Sequence, residues 1–479
     1  MNRTFHSLKF YNYRIWFFTA LVANTGTWMQ RVAQDWLVLA ILTDDNGFAV
    51  GVVTALQFLP LLFFTPLAGV LADRYDKRKI MYVTQGGMGL LAVGLGVLVL
   101  TGVATVGHVY LFAFALGTIS AIDTPPRQVF VSELVPKKDL PNAVGLNSAS
   151  FNGARLIGPG IAGLLIAIVG PGWVFIINGV SFLATIGGLI AMRPAEFHPS
   201  ERPADPSKHQ IREALAYVRH RTDIVVVMTV AGVVSCLGLN FQLTSATMAR
   251  EVFDKSAGEY GVLGSIMAIG SLAGALMAAR RSSSRVRLVV IAAFAFGVVA
   301  GINALMPTYE WYAVSVIATG FATLTMLTAA NTAIQTSVDP AIRGRVMALY
   351  QVVLMGSTPI GAPIVGWISE NIHPRWGIGV GSISALLVSF GAYLWVRKHW
   401  NVTVEYRRKG RPHLVIIGPA EQATIEQRQA ARLMEEGAQE QAALIEGRVA
   451  VPPRSMTPPE PEDLGRASAE KSRCEADCA

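Results

Sequence analysis

The stretch Gly69-Val-Leu-Ala-Asp73-Arg74-Tyr-Asp-Lys77-Arg78-Lys79 crowds six charged residues into positions 73–79. On either side, 49–72 and 80–101 carry no charge at all. A hydrocarbon core about 30 Å thick is crossed by about 20 residues of helix, and each flanking run is that long. Helix is the conformation that satisfies every backbone amide and carbonyl within one such run. Four of the six charges are basic, and short loops rich in Lys and Arg are retained in the cytoplasm. The stretch therefore reads as a cytoplasmic loop joining two membrane helices.

The same reading, extended outward, gives twelve spans at about 14–42, 49–72, 80–101, 107–126, 142–169, 172–192, 223–248, 259–280, 286–306, 310–335, 343–369 and 376–396. The first is too long for a removable signal peptide and lacks a small-residue cleavage site, so it is expected to stay as a span. Basic residues alternate from loop to loop. Lys137 and Lys138, then Arg193 to Arg221, then Arg280 to Arg287, then Arg343 and Arg345 share the side of the first loop, against Arg250, Lys255 and Arg375 opposite. Both termini are then cytoplasmic, in the cell (inner) membrane. The longest inner loop, 193–222, with a short helix expected at its end, separates a six-helix half at 1–192 from another at 223–396. A cytoplasmic tail follows at 397–479. Sliding the chain by 203 residues lays Gly153, Gly158 and Gly163 over Gly356, Gly361 and Gly366, the kind of internal repeat that two parallel halves produce. The expected fold class is all-α integral membrane, with twelve transmembrane helices in two pseudo-symmetric halves.

Composition agrees. The 479 residues are 52% hydrophobic and 15% charged, against roughly 45–50% and about 25% in soluble proteins. Of the charged residues, 26 lie in 397–479 and cancel, so the net charge of +8 belongs to the apolar part. That placement disfavours a soluble nucleic-acid binder. Three cysteines, Cys236, Cys474 and Cys478, make no disulfide scaffold. The sequence has no phosphate loop G-x-x-x-x-G-K-[ST], no H-E-x-x-H and no G-x-S-x-G. Neither an enzyme nor a chain that hydrolyses ATP is expected, and no cofactor or metal. In the tail, 402–406 and 414–417 alternate like a hairpin, 421–446 reads as a polar helix, and the proline-rich end reads as disordered.

The loop at 69–79 resembles the G-x-x-x-D-[RK]-x-G-R-[RK] signature of the major facilitator superfamily, with Gly69, Asp73, Arg74 and Arg78 among the matching positions and Asp76 in place of the signature glycine. The second-half counterpart, from Gly274 to Arg281, lacks the acid, so one such lock is expected. The resemblance implies that Asp73 holds the halves together on the cytoplasmic side, against the start of span eleven. There Asp339 would cap a helix with Pro340 in its first turn, ahead of Arg343 and Arg345. Asp73→Asn is expected to loosen the outward-facing state and lower transport; normal transport with unchanged cytoplasmic accessibility would contradict this.

In span five, Gly153, Gly158, Pro159 and Gly163 resemble the G-x-x-x-G-P-x-x-G-G motif of antiporters, with Ala162 replacing one glycine. Small residues and proline there serve either a joint between moving helices or ordinary close packing. A closer resemblance lies in Ala121-Ile-Asp123-Thr-Pro125-Pro126-Arg127-Gln128, Glu133-Leu-Val-Pro136 and the run Asn142 to Arg155. These are similar to the enterobactin-exporter-like, transmembrane secretion effector branch, over about 1–396. The branch implies export of siderophores, macrolides or other drugs.

Charges inside spans are costly and mark functional positions. Asn24, Thr27, Trp28, Arg31 and Asp35 recur at three- and four-residue steps and so share one helical face, expected to look into a central cavity. Arg31 and Asp35 either neutralise each other as a structural pair, or Asp35 is a proton-coupling carboxylate. Asn147 or Ser148, Phe151, Asn152 and Arg155 form a second stripe, in which Arg155 binds an anionic group or pairs with Asp123. Asp123 and Arg127, four apart, read as a gate or structural ion pair. The acids sit almost entirely in the first half, so any proton site is expected there. The expected function is secondary active export driven by the proton gradient, working by alternating access. The substrate would be a small amphipathic molecule, carried by a monomer in the lipid bilayer without nucleic acid or an ATP-binding subunit. The alternative is a facilitator or importer of the same fold.

Overall fold

The computed structural model describes residues 3–198, 210–279, 286–339, 342–399, 403–407 and 413–417. Helices α1 (Tyr11–Trp36), α2 (Gly47–Arg74), α3 (Lys77–Leu100), α4 (Val106–Glu133), α5 (Leu140–Val169) and α6 (Pro171–Ala191) form the first half. After α7 (Gln210–His220), the second half comprises α8 (Thr222–Gly238), α9 (Phe241–Thr247), α10 (Ala257–Ala279), α11 (Val286–Ala304), α12 (Tyr309–Ser337), α13 (Arg343–Gly356), α14 (Thr358–Asn371) and α15 (Pro374–His399). Both halves belong to one compact unit that ends at Trp395.

Polar side chains set several helix starts. Asn46 caps α2, accepting from the Ala49 amide at 2.7 Å. Asp76, which departs from the signature glycine, caps α3 by accepting from the amides of Arg78 and Lys79 at 2.8 and 3.3 Å. The substitution thus satisfies amides that have no partner within the helix.

Among the described residues, eleven helical stretches are long and apolar enough to cross a membrane. The remaining long helix is α1, continued by a π turn at Leu37–Leu42. It has the length, but Asn24, Thr25, Thr27, Gln30, Arg31, Gln34 and Asp35 dilute its apolar character. Three features also differ from the sequence expectation. First, α4 does not stop near 126 but runs through Pro125 and Pro126 to Glu133. Second, spans seven and eleven are each broken in two, at Leu239–Asn240 and at Ser357. In the second break Pro359 sits in the first turn of α14, where it has no hydrogen-bonded amide to lose. Third, α13 begins at Arg343 with Ile342 as its flanking residue, so Asp339 does not cap it. The Asp339 carbonyl instead accepts the Ile342 amide at 3.1 Å, in a turn that delays the helix. Pro340 lies outside the described residues.

The halves repeat each other in detail. The Asp45 amide closes onto the Leu39 carbonyl at 2.7 Å, and the Lys255 amide onto the Ala249 carbonyl at 2.8 Å. These are the same six-residue closure, 210 residues apart, each beside aspartates in the left-handed region (Asp44 and Asp45, φ 47° and 72°; Asp254, φ 49°). The seams between halves are copies too. In one, α5 packs on α10, where Gly261 meets the Pro159 carbonyl and Gly163. In the other, α2 packs on α14, where Gly51 meets the Ala362 carbonyl and Gly366 meets Gly47. Pro159 corresponds to Ala362 and Gly163 to Gly366 at the 203-residue offset. Glycine at these crossings allows backbone to touch backbone, the main source of helix association in lipid.

The tail unit contains strands β1 (Thr403–Arg407) and β2 (His413–Ile417), paired antiparallel with Thr403 opposite Ile417. This matches the expected hairpin within a residue. The expected helix at 421–446 and Cys474 and Cys478 lie outside the described residues.

Candidate transport site

Call the end of the bundle that carries 43–46, 253–256 and 372–373 the far end, and the opposite one the near end. Among the described residues, the hydrogen bonds and ion pairs that join the halves cluster from mid-bundle to the far end. Asp45 Oδ1 pairs with Arg250 Nε at 2.9 Å, and Glu370 Oε2 accepts the Gly47 amide at 2.8 Å. Ser265 Oγ donates to the Leu156 carbonyl at 2.8 Å, and Tyr260 Oη lies 3.3 Å from Asp35 Oδ2. The glycine seams lie on the same side. The molecule is joined at its far end.

Asp35 sits within that closure. It is 3% exposed, and Trp36 beside it stacks on the Tyr260 ring at 6.1 Å. Tyr260 Oη is also 3.2 Å from the Gln242 carbonyl. A phenol carries one proton, so it has two acceptors to serve when Asp35 is ionised. The expected Arg31–Asp35 pair is not formed as a contact: no ion pair joins them within 4.0 Å, because Asp35 turns across the seam to Tyr260. Sequence reading missed Tyr260 altogether. Its partner is 225 residues away, and the 203-residue repeat, which lays Phe58 on Gly261, does not mark this turn of α10 as a seam.

Arg31 and Arg155 converge instead on Trp28, with guanidinium carbons 4.9 and 5.5 Å from the indole centroid. Arg31 also lies 5.3 Å from the Phe58 ring, and Phe151 meets Trp28 edge-on at 5.9 Å. Arg155 does not pair with Asp123. That carboxylate is enclosed within the first half, accepting from Thr84 Oγ1 at 2.5 Å and Gln85 Nε2 at 3.0 and 3.1 Å, with Arg127 Nε at 3.1 Å. Arg127 in turn donates to Asn24 Oδ1 at 3.1 Å. Since α4 continues past its prolines, Asp123 and Arg127 are one helical turn apart. Of the α1 and α5 stripes, the structure therefore gathers Trp28, Arg31, Phe151 and Arg155. Asn24 joins the Asp123 network, Asn152 donates to the Ser148 carbonyl, and Asn147 is half-buried.

Among the described side chains, those expected to gate the near end do not cross between the halves here. Arg78 donates to the Leu189 carbonyl at 2.6 Å, tying α3 to α6. Arg345 pairs with Glu213 of α7. Arg74 and Arg343 are exposed. Gly69 and Asp73 fall in the last turns of α2, but their side chains lie outside the described set. In the α5 motif, Gly158 faces Trp28 and the Thr25 carbonyl, Gly163 faces α10, and Gly153 meets nothing.

Two pseudo-symmetric six-helix halves, joined at one end about a charged midsection, define a transporter of the major facilitator type. The family described as transmembrane secretion effector matches residues 3–409, and the chain belongs to it. It is 23% identical over 289 residues to the staphyloferrin A transporter of Staphylococcus aureus, spanning 60% of this chain and 72% of that one. It is 24% identical over 356 residues to the enterobactin exporter of Shigella boydii, spanning 72% and 82%. Among solved structures, a bacterial homologue of the lysosomal transporter Spinster, inward-facing and occupied, superposes with a TM-score of 0.62 at 14% identity, covering 80% of this chain and 96% of that one. The nucleoside transporter NupG gives 0.60 at 12% identity, covering 80% and 98%. The chain is a multi-pass membrane protein whose relatives are transporters.

Proposed function

We propose that this chain is a proton-coupled exporter of small amphipathic compounds, siderophore-like or drug-like, working by alternating access. The observation that carries the reading is the meeting of Asp35 and Tyr260 across the closed seam. When Asp35 is neutral, its hydroxyl donates to Tyr260 Oη, and Tyr260 directs its own O–H as a hydrogen bond to the Gln242 carbonyl. An unbroken chain then links α1 to α9 and α10. When Asp35 is ionised, one phenolic proton is shared between two acceptors. Protonation from the far side therefore favours closure there, and release of the proton toward the near side lets the seam part. Substrate entering from the near side is carried the opposite way.

The basic loops support a cytoplasmic near end with both termini, in the cell inner membrane. The siderophore transporters among its relatives support the class of cargo. A facilitator without proton coupling has no need for a titratable carboxylate at the seam; a proton-driven importer would use one but would move cargo and proton in the same direction. Everted vesicles, acid inside, test the proposal with siderophores and drug-like dyes. Accumulation that collapses when the pH difference is dissipated is expected, and accumulation indifferent to it contradicts the reading.

Tyr260→Phe removes the seam hydroxyl and leaves Asp35 without its partner. A hydrogen bond to a charged group contributes about 1.5–3 kcal/mol, so a fall of roughly tenfold or more in proton-driven transport is expected. Initial rates in the same vesicles check it; an unchanged rate would remove Tyr260 from the coupling path.

A further inference from the structure

We propose that Arg31 and Arg155, gathered on the Trp28 indole, form a subsite for the anionic group of the transported compound, with Phe151 and Phe58 taking its apolar or aromatic body. The proposal rests on the transport reading and specifies what is carried. It follows from an inventory of charge at membrane depth. The second half contributes none across 224–249, 260–279, 311–338 and 346–369. In the first half, Asp123 is matched by Arg127, Thr84 and Gln85, and Asp35 is hydrogen-bonded to Tyr260. Among the described residues, Arg155 is left without an acid, and Arg31 has only Asp35, beyond ion-pair distance on the next turn of α1.

Among the described residues, neither guanidinium donates a hydrogen bond or makes an ion pair; their contacts are aromatic faces, at 4.9, 5.3 and 5.5 Å. A cation at this depth is costly, and cation–π contact offsets only part of that cost. The planar N–H forks remain unspent, in the geometry that suits a carboxylate or other oxyanion. Two such groups on one indole repel each other until an anion lies between them.

Position fits cargo better than structure. Leu156, adjacent to Arg155, accepts from Ser265 at the lower limit of the closed seam. Phe151, one turn toward the near end, is 47% exposed and meets Trp28 edge-on, which places an aromatic ring beside the arginines on their near side. An anion leaving the cytoplasm also moves with the membrane potential, so substrate and proton carry charge in favourable directions.

The test is equilibrium binding to the full-length protein in neutral detergent, by titration calorimetry with naphthalene-2-carboxylate, naphthalene-2-carboxamide and naphthalen-2-ylmethylammonium. The carboxylate is expected to bind at least about tenfold more tightly than the other two. Arg31→Gln and Arg155→Gln should each remove that preference without changing amide affinity, and Arg155→Lys should recover part of it. Size-exclusion profiles identify any variant that fails to fold, and Arg155→Lys together with Trp28→Phe then decides the matter. Equal affinity for the three probes, or a carboxylate preference that survives both glutamine variants, would overturn the subsite. Loss of the carboxylate signal on adding phosphatidylglycerol would make the occupant a lipid headgroup and overturn it as a cargo site. No gradient enters the measurement. Anion binding without proton-driven transport would therefore fail the coupling reading alone, and proton-driven transport without anion preference would fail this one alone.

Discussion

Asp35→Asn is expected to reduce uphill export to background while the protein stays folded and still binds cargo. The amide has the shape of the carboxyl group and donates to Tyr260 as a neutral carboxyl group would, so the variant mimics permanent protonation. The chain from Asp35 through Tyr260 Oη, 3.3 Å away, to the Gln242 carbonyl at 3.2 Å is then fixed. One hydrogen bond kept rather than shared contributes about 1 kcal/mol, a roughly fivefold bias toward far-end closure. The larger effect is on energy coupling, because asparagine neither takes nor gives a proton in this range. Cysteine labelling checks the bias: Gln335→Cys, at an exposed near-side position, in a background lacking Cys236, Cys474 and Cys478, should react faster with Asn at 35. Retained proton-driven accumulation in Asp35→Asn would discard Asp35 as the coupling group.

Gly261→Leu is expected to abolish transport for the opposite reason, by preventing closure. A Cβ there would meet the Pro159 carbonyl and lie 2.8 Å from Gly163 Cα and 2.9 Å from its nitrogen. These neighbours are backbone, with no flexible side chain to yield. Overpacking typically costs about 1–3 kcal/mol even where side chains adjust, which shifts a two-state population by roughly five- to 150-fold. The far end should stay open and labelling at Gln335→Cys should fall. Because the seams repeat, Gly51→Leu, against Ala362 and Pro363, should do the same. Wild-type transport in either variant would mean that these seams are not the moving joints.

The loop at 69–79, the apolar runs beside it and the glycines of span five were enough to read the architecture, because membrane helices declare themselves by length and charge. Breaks within helices were less legible. Gly238 and Asn240, and Gly356 with Pro359, mark them, yet each lies inside an apolar run that reads as continuous. The α1 spacing puts Trp28, Arg31 and Asp35 on one face, since helical spacing fixes which residues share a side. Spacing does not fix their partners. Arg31 and Asp35 stand four apart and look like a pair, but Arg31 lies over Trp28, three residues back on its own helix, while Asp35 reaches Tyr260 on α10, a partner that meets it only after folding. The same holds for Asp45 with Arg250.

The most direct test of proton-coupled export is acridine-orange fluorescence in energised everted vesicles containing this protein, challenged with siderophores and drug-like compounds. The account predicts dequenching on addition of a transported compound in the wild type and none in Asp35→Asn. Compounds that bind yet cause no dequenching in the wild type would contradict proton antiport and leave a facilitator or importer built on the same seams.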